Sequence, residues 1–377
     1  MHSSLRSLNF WRVIVINFFV SSFVYMSMPL WPLMMQTNDG ISIHSSGIAM
    51  LLFGIGLFLP GAFSSYLVDK YKRKDICFWS ISILVLVSVL STLELPTTIV
   101  GLLRLFQGAS FSLFHIVLGS TILIDITISE RRDLASYIYF WTSKLALAVG
   151  PAFGVLALKP ELWYYLKYFP ILCALLSVYF VSRIHLAFRS PLEPKMFSLD
   201  RFWLKSGWPF VLLLFPVTFA LGVEIASNLH PLFFVFLLGG FVVSLLSHSL
   251  IFYRSDIRAE IITGYIALFV AFLLLILQDE EMMIRVAAGF TGFGVGGVTG
   301  RLQYFLTRIS KHTERGSAQG TYKLTFECGL CFGFGFSCIS GHNGTLLMLS
   351  ICLVLVALSL LAYLLSVYPW FLKHSLR

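Results

Sequence analysis

The chain has 377 residues, of which 58% are hydrophobic and only 12% are charged, and its mean hydropathy is +0.86. A soluble domain carries about 25% charged residues, so this composition excludes a disordered chain, a disulfide scaffold, a coiled coil and an ordinary cytosolic enzyme, and it predicts a surface that mostly faces lipid. The net charge is +9, but no loop is large enough to form an exposed basic domain, which argues against nucleic-acid binding.

Twelve apolar stretches are long enough to cross a bilayer, because a spanning helix needs about 20 mostly apolar residues. In chain order they lie near residues 10–36, 46–68, 75–95, 97–125, 134–158, 162–183, 208–229, 231–253, 259–278, 282–308, 317–340 and 344–369. Runs such as residues 76–93 are apolar throughout and do not alternate, which argues against membrane-spanning strands. We therefore predict an all-α membrane protein with twelve transmembrane helices, numbered here as spans 1 to 12.

The lysines and arginines are distributed unevenly between the two sides of these spans. Of the 27, 20 lie on the side that carries both termini, two lie on the opposite side and five lie within spans. Cytoplasmic loops hold the excess of Lys and Arg, so both termini are predicted to be cytoplasmic. The first apolar stretch is longer than the apolar core of about 7–15 residues in a signal peptide, so we expect it to be retained as a helix.

The longest polar segment divides the chain into two halves. Residues 184–207 contain two prolines and mixed charges, as expected of a linker. We predict an N-terminal six-helix bundle over residues 1–183, a cytoplasmic linker over residues 184–207 and a C-terminal six-helix bundle over residues 208–377.

Two pairs of sequence elements suggest that the halves are repeats. Residues 130–136 follow span 4, and the similar residues 314–320 follow span 10, 184 positions later. Arg104 begins an R-x3-G element in span 4, and Arg285 begins another in span 10. Two parallel halves with a site between them form a known transporter architecture.

All six cysteines lie in or beside apolar stretches. Cys328 and Cys331 have the C-x2-C spacing of redox and metal sites, but they lie inside a predicted span that a partner protein cannot reach. We predict that the cysteines are small packing residues and that the protein needs no cofactor, with metal or redox chemistry as the alternative.

Three elements resemble the major facilitator superfamily of transporters. The loop after span 2 is similar to the family pattern G-x3-D-[RK]-x-G-[RK]-[RK], which it matches at Asp69, Lys70, Arg73 and Lys74. Ser65 and Lys72 stand where that pattern has glycines.

The other two elements lie in spans 4 and 5. Residues 104–108 read R-L-F-Q-G, similar to the R-x2-Q-G element of the family. Gly150, Pro151 and Gly154 are similar to the G-x3-G-P-x2-G-G element associated with antiporters, with Ala146 and Val155 in place of its first and last glycines.

The resemblance implies a secondary active transporter, not an enzyme, in which two bundles rock around a central site. It also implies gating roles. Asp69 is predicted to pair with Arg131 or Arg132 and to latch the cytoplasmic side, although a solvated surface cluster is the alternative. Gly150 and Pro151 are predicted to form a hinge or a packing seam. The full predicted gating set is Asp69, Lys70, Arg73, Lys74, Arg131, Arg132, Gly150, Pro151 and Gly154.

Ionisable residues inside the predicted spans indicate a water-filled cavity. A central charge costs about 2.5–3.5 kcal/mol on insertion scales, so it usually faces a cavity or a partner. Helical spacing places Arg104, Gln107 and His115 on one face of span 4. We predict a cavity between the halves lined by Asn17, Arg104, Gln107, His115, Lys144, Glu224, Arg301 and Lys323. Glu327 and Glu224 are the predicted proton carriers, because only acids among these residues can neutralise their charge by protonation.

Several of these residues also have a structural alternative, whereas Arg104 and Lys144 have no acidic neighbour on their own helix at that depth. Lys323 and Glu327, spaced i and i+4, can simply neutralise each other. Arg301 can extend its charge towards the cytoplasm, and His115 can be a hydrogen-bonded packing residue. Aromatic residues in the spans, Tyr25 among them, are expected to fill space, with stacking on a substrate ring as the alternative.

The excess of cations in this predicted cavity favours a small anionic or amphiphilic substrate. We predict proton-coupled export by antiport, with proton symport of a small organic anion as the alternative. A membrane enzyme would need clustered acids and histidines near one interface, but the only candidate grouping, His44 in the first outer loop and His342 in the last, is too sparse. An ATP-driven pump is excluded because the chain has no G-x4-G-K-[ST] loop. We predict a monomer in the cell membrane, the inner membrane of a bacterium.

Overall fold

The computed structural model describes residues 7–38, 43–90, 93, 95–166, 168–186, 195–252, 256–277, 280–341 and 344–375, and all of the regular structure among them is helical. The helices of the first half are α1 (Leu8–Asn38), α2 (Ile43–Gly56), α3 (Ser64–Lys70), α4 (Arg73–Leu90), α5 (Thr97–Val117), α6 (Leu123–Ile126), α7 (Arg132–Ala157), α8 (Pro160–Leu166) and α9 (Phe169–Ser182). Those of the second half are α10 (Trp208–Ser227), α11 (Pro231–Leu250), α12 (Ile257–Leu277), α13 (Glu281–Ile309), α14 (Arg315–Ser340), α15 (Thr345–Ala362) and α16 (Tyr368–His374).

Helices occupy all twelve predicted spans, so the predicted fold class is confirmed. Some spans are composite: α2 and the helical segment that ends with α3 meet at a bend of 41°, and π-helical turns join α5 to α6 and α15 to α16. In the described part of the chain, nine helical segments are long and apolar enough to cross a membrane, or ten if the bent pair is one span. Helix α4 begins with three charged residues and α14 contains a buried ion pair, which makes these two less apolar.

Glycines bring the helices of each half into close contact, as the small-residue motifs of membrane helices do. A Cβ atom added at Gly150 of α7 would overlap the carbonyl oxygen of Ser22 in α1, and one at Gly154 would overlap that of Met26. Helix α7 continues unbroken through Pro151. In this structure the element lies in a packing seam between α1 and α7, and its predicted role as a hinge stays a prediction.

The second half repeats this arrangement. Gly222 of α10 faces Leu330 and Phe334 of α14, and a Cβ atom there would lie 2.8 Å from the Phe334 nitrogen. Helices α10 and α14 are spans 7 and 11, the counterparts of spans 1 and 5. The same pairs of helices are thus joined in both halves, as the internal repeat predicts.

A prediction follows for the α1–α7 seam. Gly150→Ala is expected to lower the free energy of unfolding by about 1–3 kcal/mol, because the added methyl group overpacks a helix contact. Gly239→Ala on α11 is the matched control, since a Cβ atom there meets nothing within 4 Å. Thermal unfolding in detergent checks both variants, and equal melting temperatures would contradict the seam.

Two pairs of helices make the largest contacts between the halves. Helix α2 packs on α14, where a Cβ atom at Gly47 would lie 2.6 Å from the carbonyl oxygen of Gly335. Helix α7 packs on α11, where the rings of Tyr137 and His248 lie 5.1 Å apart. Helix α9 ends at Ser182 and α10 begins at Trp208. The domain boundaries at 183 and 208 stay predictions, and residues 187–194 of the linker lie outside the described part.

Candidate functional site

A buried ion pair bridged by a tyrosine lies where the halves face each other. On α14, the Lys323 Nζ atom lies 2.6 Å from Glu327 Oε1, and both side chains are almost fully buried. The hydroxyl of Tyr25, from α1, donates a hydrogen bond to Glu327 Oε1 and accepts one from Lys323 Nζ at 3.1 Å. The pair therefore does not merely neutralise itself on one helix, because its hydrogen bonds reach across to the other half.

Beside this pair, His115 of α5 has one ring nitrogen engaged and one free. Its Nδ1 atom lies 2.8 Å from the hydroxyl of Tyr139 in α7. Its Nε2 atom is buried and has no hydrogen-bond partner in the described part of the protein. The ring also packs edge-on against Phe111 at 4.5 Å between centroids. His115 is therefore both a packing residue and a group with one free nitrogen.

These groups line a narrow cavity of about 20 Å³ between α5, α7 and α14. His115, Tyr139, Lys323 and Glu327 form part of its wall, and Phe202 from the linker also lines it. A single water needs about 10–15 Å³ of such space. The cavity therefore has no room for an organic solute in this conformation, and a solute can enter only if the halves move apart.

Three predicted cavity residues instead bind other parts of the protein. Asn17 donates hydrogen bonds from Nδ2 to the Tyr139 carbonyl at 2.7 Å and to the Ser143 hydroxyl at 3.0 Å. Arg104 donates to the Ser27 hydroxyl and carbonyl at 3.0 and 3.1 Å, and to Gln107 Oε1 at 2.7 Å. All three lie outside the wall of the narrow cavity. Their predicted contacts with substrate stay predictions.

Lys144 and Glu224 are buried charges of a different kind. Neither Lys144 Nζ nor either carboxylate oxygen of Glu224 has a hydrogen-bond partner among the described residues. Glu224 lies within the second half, with Thr291 and Cys352 as its neighbours. It is fully buried and lies outside the cavity wall. Its predicted role as a proton carrier stays a prediction.

Arg301 is not a free cavity cation. Its Nε atom donates to Glu260 Oε2, and His248 Nδ1 lies 3.1 Å from both carboxylate oxygens of Glu260. Glu260 and His248 are absent from the predicted site. In the sequence, Glu260 is simply an acid near the end of a span, and only the structure shows that it is 5% exposed in the first turn of α12. Its charge compensates Arg301, so the expected excess of cations is smaller than the sequence suggested.

At the predicted cytoplasmic end, Asp69 pairs with a different arginine from those expected. The Arg201 Nη1 atom, from the linker, lies 2.5 Å from Asp69 Oδ1. Arg131 is exposed, and Arg132 Nε donates to the Thr127 carbonyl at 3.2 Å. The expected pairing of Asp69 with Arg131 or Arg132 is therefore wrong in this conformation. The reason is that the linker lies against α3 and presents its own cation there.

The other basic residues of the predicted gate bind neighbouring groups in the first half. Arg73 forms an ion pair with Asp125 at the end of α6. Lys70 donates to the hydroxyl of Tyr66, one turn earlier on α3. Lys74 Nζ lies 3.4 Å from the Ser182 carbonyl. None of these three contacts crosses between the halves.

The linker residues 198–204 bind both halves. On the first-half side, the Ser198 nitrogen donates to the Ala62 carbonyl at 2.9 Å. On the second-half side, the nitrogens of Arg201 and Leu204 donate to side-chain hydroxyls of α14, at 2.9 and 2.6 Å. Arg201 has a φ angle of 64°, a left-handed conformation at which the linker changes direction. Phe202 is thereby buried between the two halves.

A second bridge between the halves connects the two repeated elements. Arg315 Nη2 of α14 lies 3.6 Å from Asp133 Oδ1 at the start of α7, and its Nη1 donates to the Ser129 carbonyl at 3.0 Å. Gln319 donates to the hydroxyl of Ser136. The repeated elements after spans 4 and 10 thus meet across the interface.

All six cysteines are free and buried. Among the described residues, no group of three or more His, Cys, Asp or Glu side chains is placed to hold a metal ion. Cys328 and Cys331 lie within α14, as the packing interpretation expects.

Comparison with known proteins agrees with this architecture. The family model of the Major Facilitator Superfamily matches residues 13–260. The crystal structure of the human organic anion transporter MFSD10 (TETRAN) is similar in fold, with a TM-score of 0.70 and 13% identity, over 95% of this chain and 100% of that one. The structure of a mutant of the nucleoside transporter NupG is similar with a TM-score of 0.66 and 12% identity, over 94% and 99% of the two chains. No curated protein sequence matches the chain.

The family match covers most of the chain, and the fold likeness extends over nearly all of it. Together with the helices found in all twelve predicted spans and the buried polar groups where the halves face each other, these findings lead to one conclusion. The chain belongs to the Major Facilitator Superfamily and is a multi-pass membrane transporter of small molecules.

Proposed function

We propose that the chain transports small organic anions by alternating access and couples their movement to protons. One observation carries this proposal: the buried Lys323–Glu327 pair lines the cavity between the halves and is bridged by Tyr25 of the opposite half. An ionisable pair inside a membrane protein is costly, and such pairs mark ion and substrate pathways.

The geometry supports a simple coupling step. Glu327 Oε1 accepts hydrogen bonds from Tyr25 and Lys323, while Oε2 has no partner among the described residues. A proton that binds Oε2 neutralises the carboxylate, and the Lys323 cation then lacks a counter-charge. An anion that enters the cavity supplies one. When the proton leaves, the ion pair re-forms and displaces the anion.

This step moves the proton and the anion together, which favours symport. Antiport-driven export is the second candidate, supported by the resemblance of Gly150, Pro151 and Gly154 to the antiporter element. In antiport, the proton would bind Glu327 only in the conformation that has released the solute. The two candidates predict opposite directions of proton movement under the same solute gradient.

Reconstitution into lipid vesicles that enclose a pH-sensitive dye tests the proposal. Gradients of gluconate, phenyl phosphate and benzenesulfonate are imposed, with sorbitol and benzyl alcohol as uncharged controls. An inward gradient of a transported anion is expected to acidify the vesicle lumen in symport and to make it more alkaline in antiport. Proton flux no greater than that of protein-free vesicles, for every anion, would reject the proposal.

We also propose that the linker closes the cytoplasmic side in this conformation. Phe202 lines the cavity and is 7% exposed, and Arg201 of the linker pairs with Asp69 on α3 of the first half. For solute to pass to the cytoplasm, these contacts must break. The Asp69–Arg201 pair is about one quarter exposed, so it contributes only about 0–1 kcal/mol to closure.

Asp69→Asn is therefore expected to shift the equilibrium modestly towards a cytoplasm-open state. In a chain with its native cysteines replaced, a cysteine at Ser112 in the cavity wall should react up to about fivefold faster with an impermeant thiol reagent added from the cytoplasmic side. Glu130→Gln, an exposed acid at the same end, is the control and should leave the rate unchanged. Equal rates for both variants would remove Asp69 from the gate.

A further inference from the structure

Lys144 is a buried cation that forms no ion pair with the described residues. It lies in the middle of α7 and is 2% exposed. Its Nζ atom has no hydrogen-bond partner in the part of the chain that the structure describes. The ammonium group lies over the ring of Trp141, whose centroid is 4.5 Å away on the same helix. A ring face attracts a cation, but it leaves the charge of Lys144 uncompensated.

The neighbouring Trp141 supplies a second donor close to Lys144. Its buried Nε1 atom has Tyr137, one turn earlier on α7, as a polar neighbour. Both donors face Gly300 on α13 of the opposite half: a Cβ atom at Gly300 would lie 3.9 Å from Lys144 Nζ, 3.9 Å from Trp141 Nε1 and 3.8 Å from a ring carbon of Tyr137. Two N–H donors, one of them charged, therefore converge beside the Tyr137 ring on a point where the facing helix has no side chain.

Nearby charges do not cancel the charge of Lys144. Arg301 and His248 engage Glu260, and Lys323 and Tyr25 engage Glu327. Lys144 interacts with Glu260 and Lys323 only at longer range. Around the interface of α7 with the second half, the cations Lys144, Arg301 and Lys323 thus exceed the two acids by one positive charge.

From this convergence we infer that Lys144 and Trp141, facing Gly300, bind the anionic group of the transported solute, a carboxylate, phosphate or sulfonate. The ammonium group supplies the opposite charge and the indole N–H supplies a directed hydrogen bond. This inference rests on the proposed function, and it states where the anionic group of the solute binds. Lys144 is the cation that is ready before any proton arrives, whereas Lys323 becomes available only when Glu327 is protonated.

Thermal unfolding of the purified protein in detergent tests the site. Unfolding is followed with a dye that becomes fluorescent on reaction with the six buried cysteines. Phenyl phosphate, gluconate and benzenesulfonate are titrated, with benzyl alcohol and sorbitol as uncharged controls. A ligand that binds only the folded state raises the melting temperature in a concentration-dependent way. At least one of the three anions should do so in the wild type, and neither uncharged control should.

Four variants locate the binding. Lys144→Met should weaken the apparent affinity at least about tenfold, and Lys144→Arg should retain part of it. Gly300→Ala should also weaken it, because the methyl group fits by ordinary contact but occupies the site. Gly297→Ala on the same helix is the control: its Cβ atom would also meet only ordinary contacts, near Ser244 and Glu260, and affinity should be unchanged.

A further readout separates binding from a structural role. Without ligand, Lys144→Met should melt at or above the wild-type temperature, since it removes an uncompensated buried charge. If Lys144→Met binds the anions as tightly as the wild type, the inference is wrong, although anion transport through Lys323 can still hold. If anions stabilise the wild type no better than the uncharged controls, both the inference and the anion specificity of the proposed function fail.

Discussion

Glu327→Gln is expected to abolish solute-driven proton flux in vesicles while leaving the protein in the membrane. Glutamine keeps the size and the accepting oxygen of the side chain but cannot take up a proton. The Tyr25 and Lys323 contacts with Oε1 can persist, so a loss of flux reports on the protonation step. A fall of at least about 100-fold is expected, because the coupled step has no other carboxylate in the cavity wall.

The same variant has a stability signature. Glu327→Gln leaves Lys323 buried without its counter-charge, and breaking a buried pair from one side costs about 3–5 kcal/mol. The double variant Lys323→Met with Glu327→Gln removes both charges and is expected to recover most of that stability without recovering flux. Thermal unfolding and vesicle flux, measured on the same preparations, check the two expectations.

Two controls make the outcome interpretable. Glu281→Gln changes an acid whose side chain is 79% exposed, at the start of α13, and both flux and stability should be unchanged. Glu327→Asp keeps a carboxylate and should keep part of the flux. Full coupling in Glu327→Gln would show that the proton is carried elsewhere.

Glu260→Gln is expected to be the most destabilising single change near the predicted cytoplasmic end. It leaves Arg301, with a side chain only 11% exposed, without its counter-charge, and His248 loses a charged partner as well. A loss of about 3–5 kcal/mol in the free energy of unfolding follows from an uncompensated buried charge. Thermal unfolding in detergent measures it.

Removal of both charges tests the cause. Glu260→Gln combined with Arg301→Met should be markedly more stable than Glu260→Gln alone, because neither partner is left charged and unpaired. Glu280→Gln, at an exposed position before α13, is the matched control and should change stability little. If Glu260→Gln matches that control, the buried pair does not stabilise the fold.

Helical spacing predicted the local contacts of the site well. Lys323 and Glu327, which are spaced i and i+4, form an ion pair in the structure. Arg104 and Gln107, which were predicted to share a face of span 4, form a hydrogen bond of 2.7 Å. Both contacts lie within a single helix, where a separation of three or four residues fixes which side chains meet.

Contacts between distant segments could not be predicted in this way. Tyr25 and Glu327 are 302 residues apart. In the sequence, Tyr25 is only one of many aromatic residues in the predicted spans. Arg201 lies in a linker without periodicity, so nothing in the sequence placed it beside Asp69. Glu260 was hidden because an acid near the end of a span usually faces water. Packing between helices, which no local pattern encodes, decides each of these cases.

The narrow cavity and the linker contacts describe a conformation closed around the central ion pair. The π-helical turn Leu118–Ile122 interrupts span 4 beside the cavity wall, and such turns are frequent at functional sites. The close helix contacts within each half and the polar contacts between halves are consistent with rigid bundles that move relative to each other.

Cysteine accessibility at Ser112, measured separately from each side of the membrane, tests the central claim of alternating access most directly. Ser112 is buried and lines the cavity between the halves. In a chain with its native cysteines replaced, Ser112→Cys is expected to react with an impermeant thiol reagent from either side, because each open state exposes it to one side. Reaction from one side alone, or from neither side, in a folded protein would contradict the account.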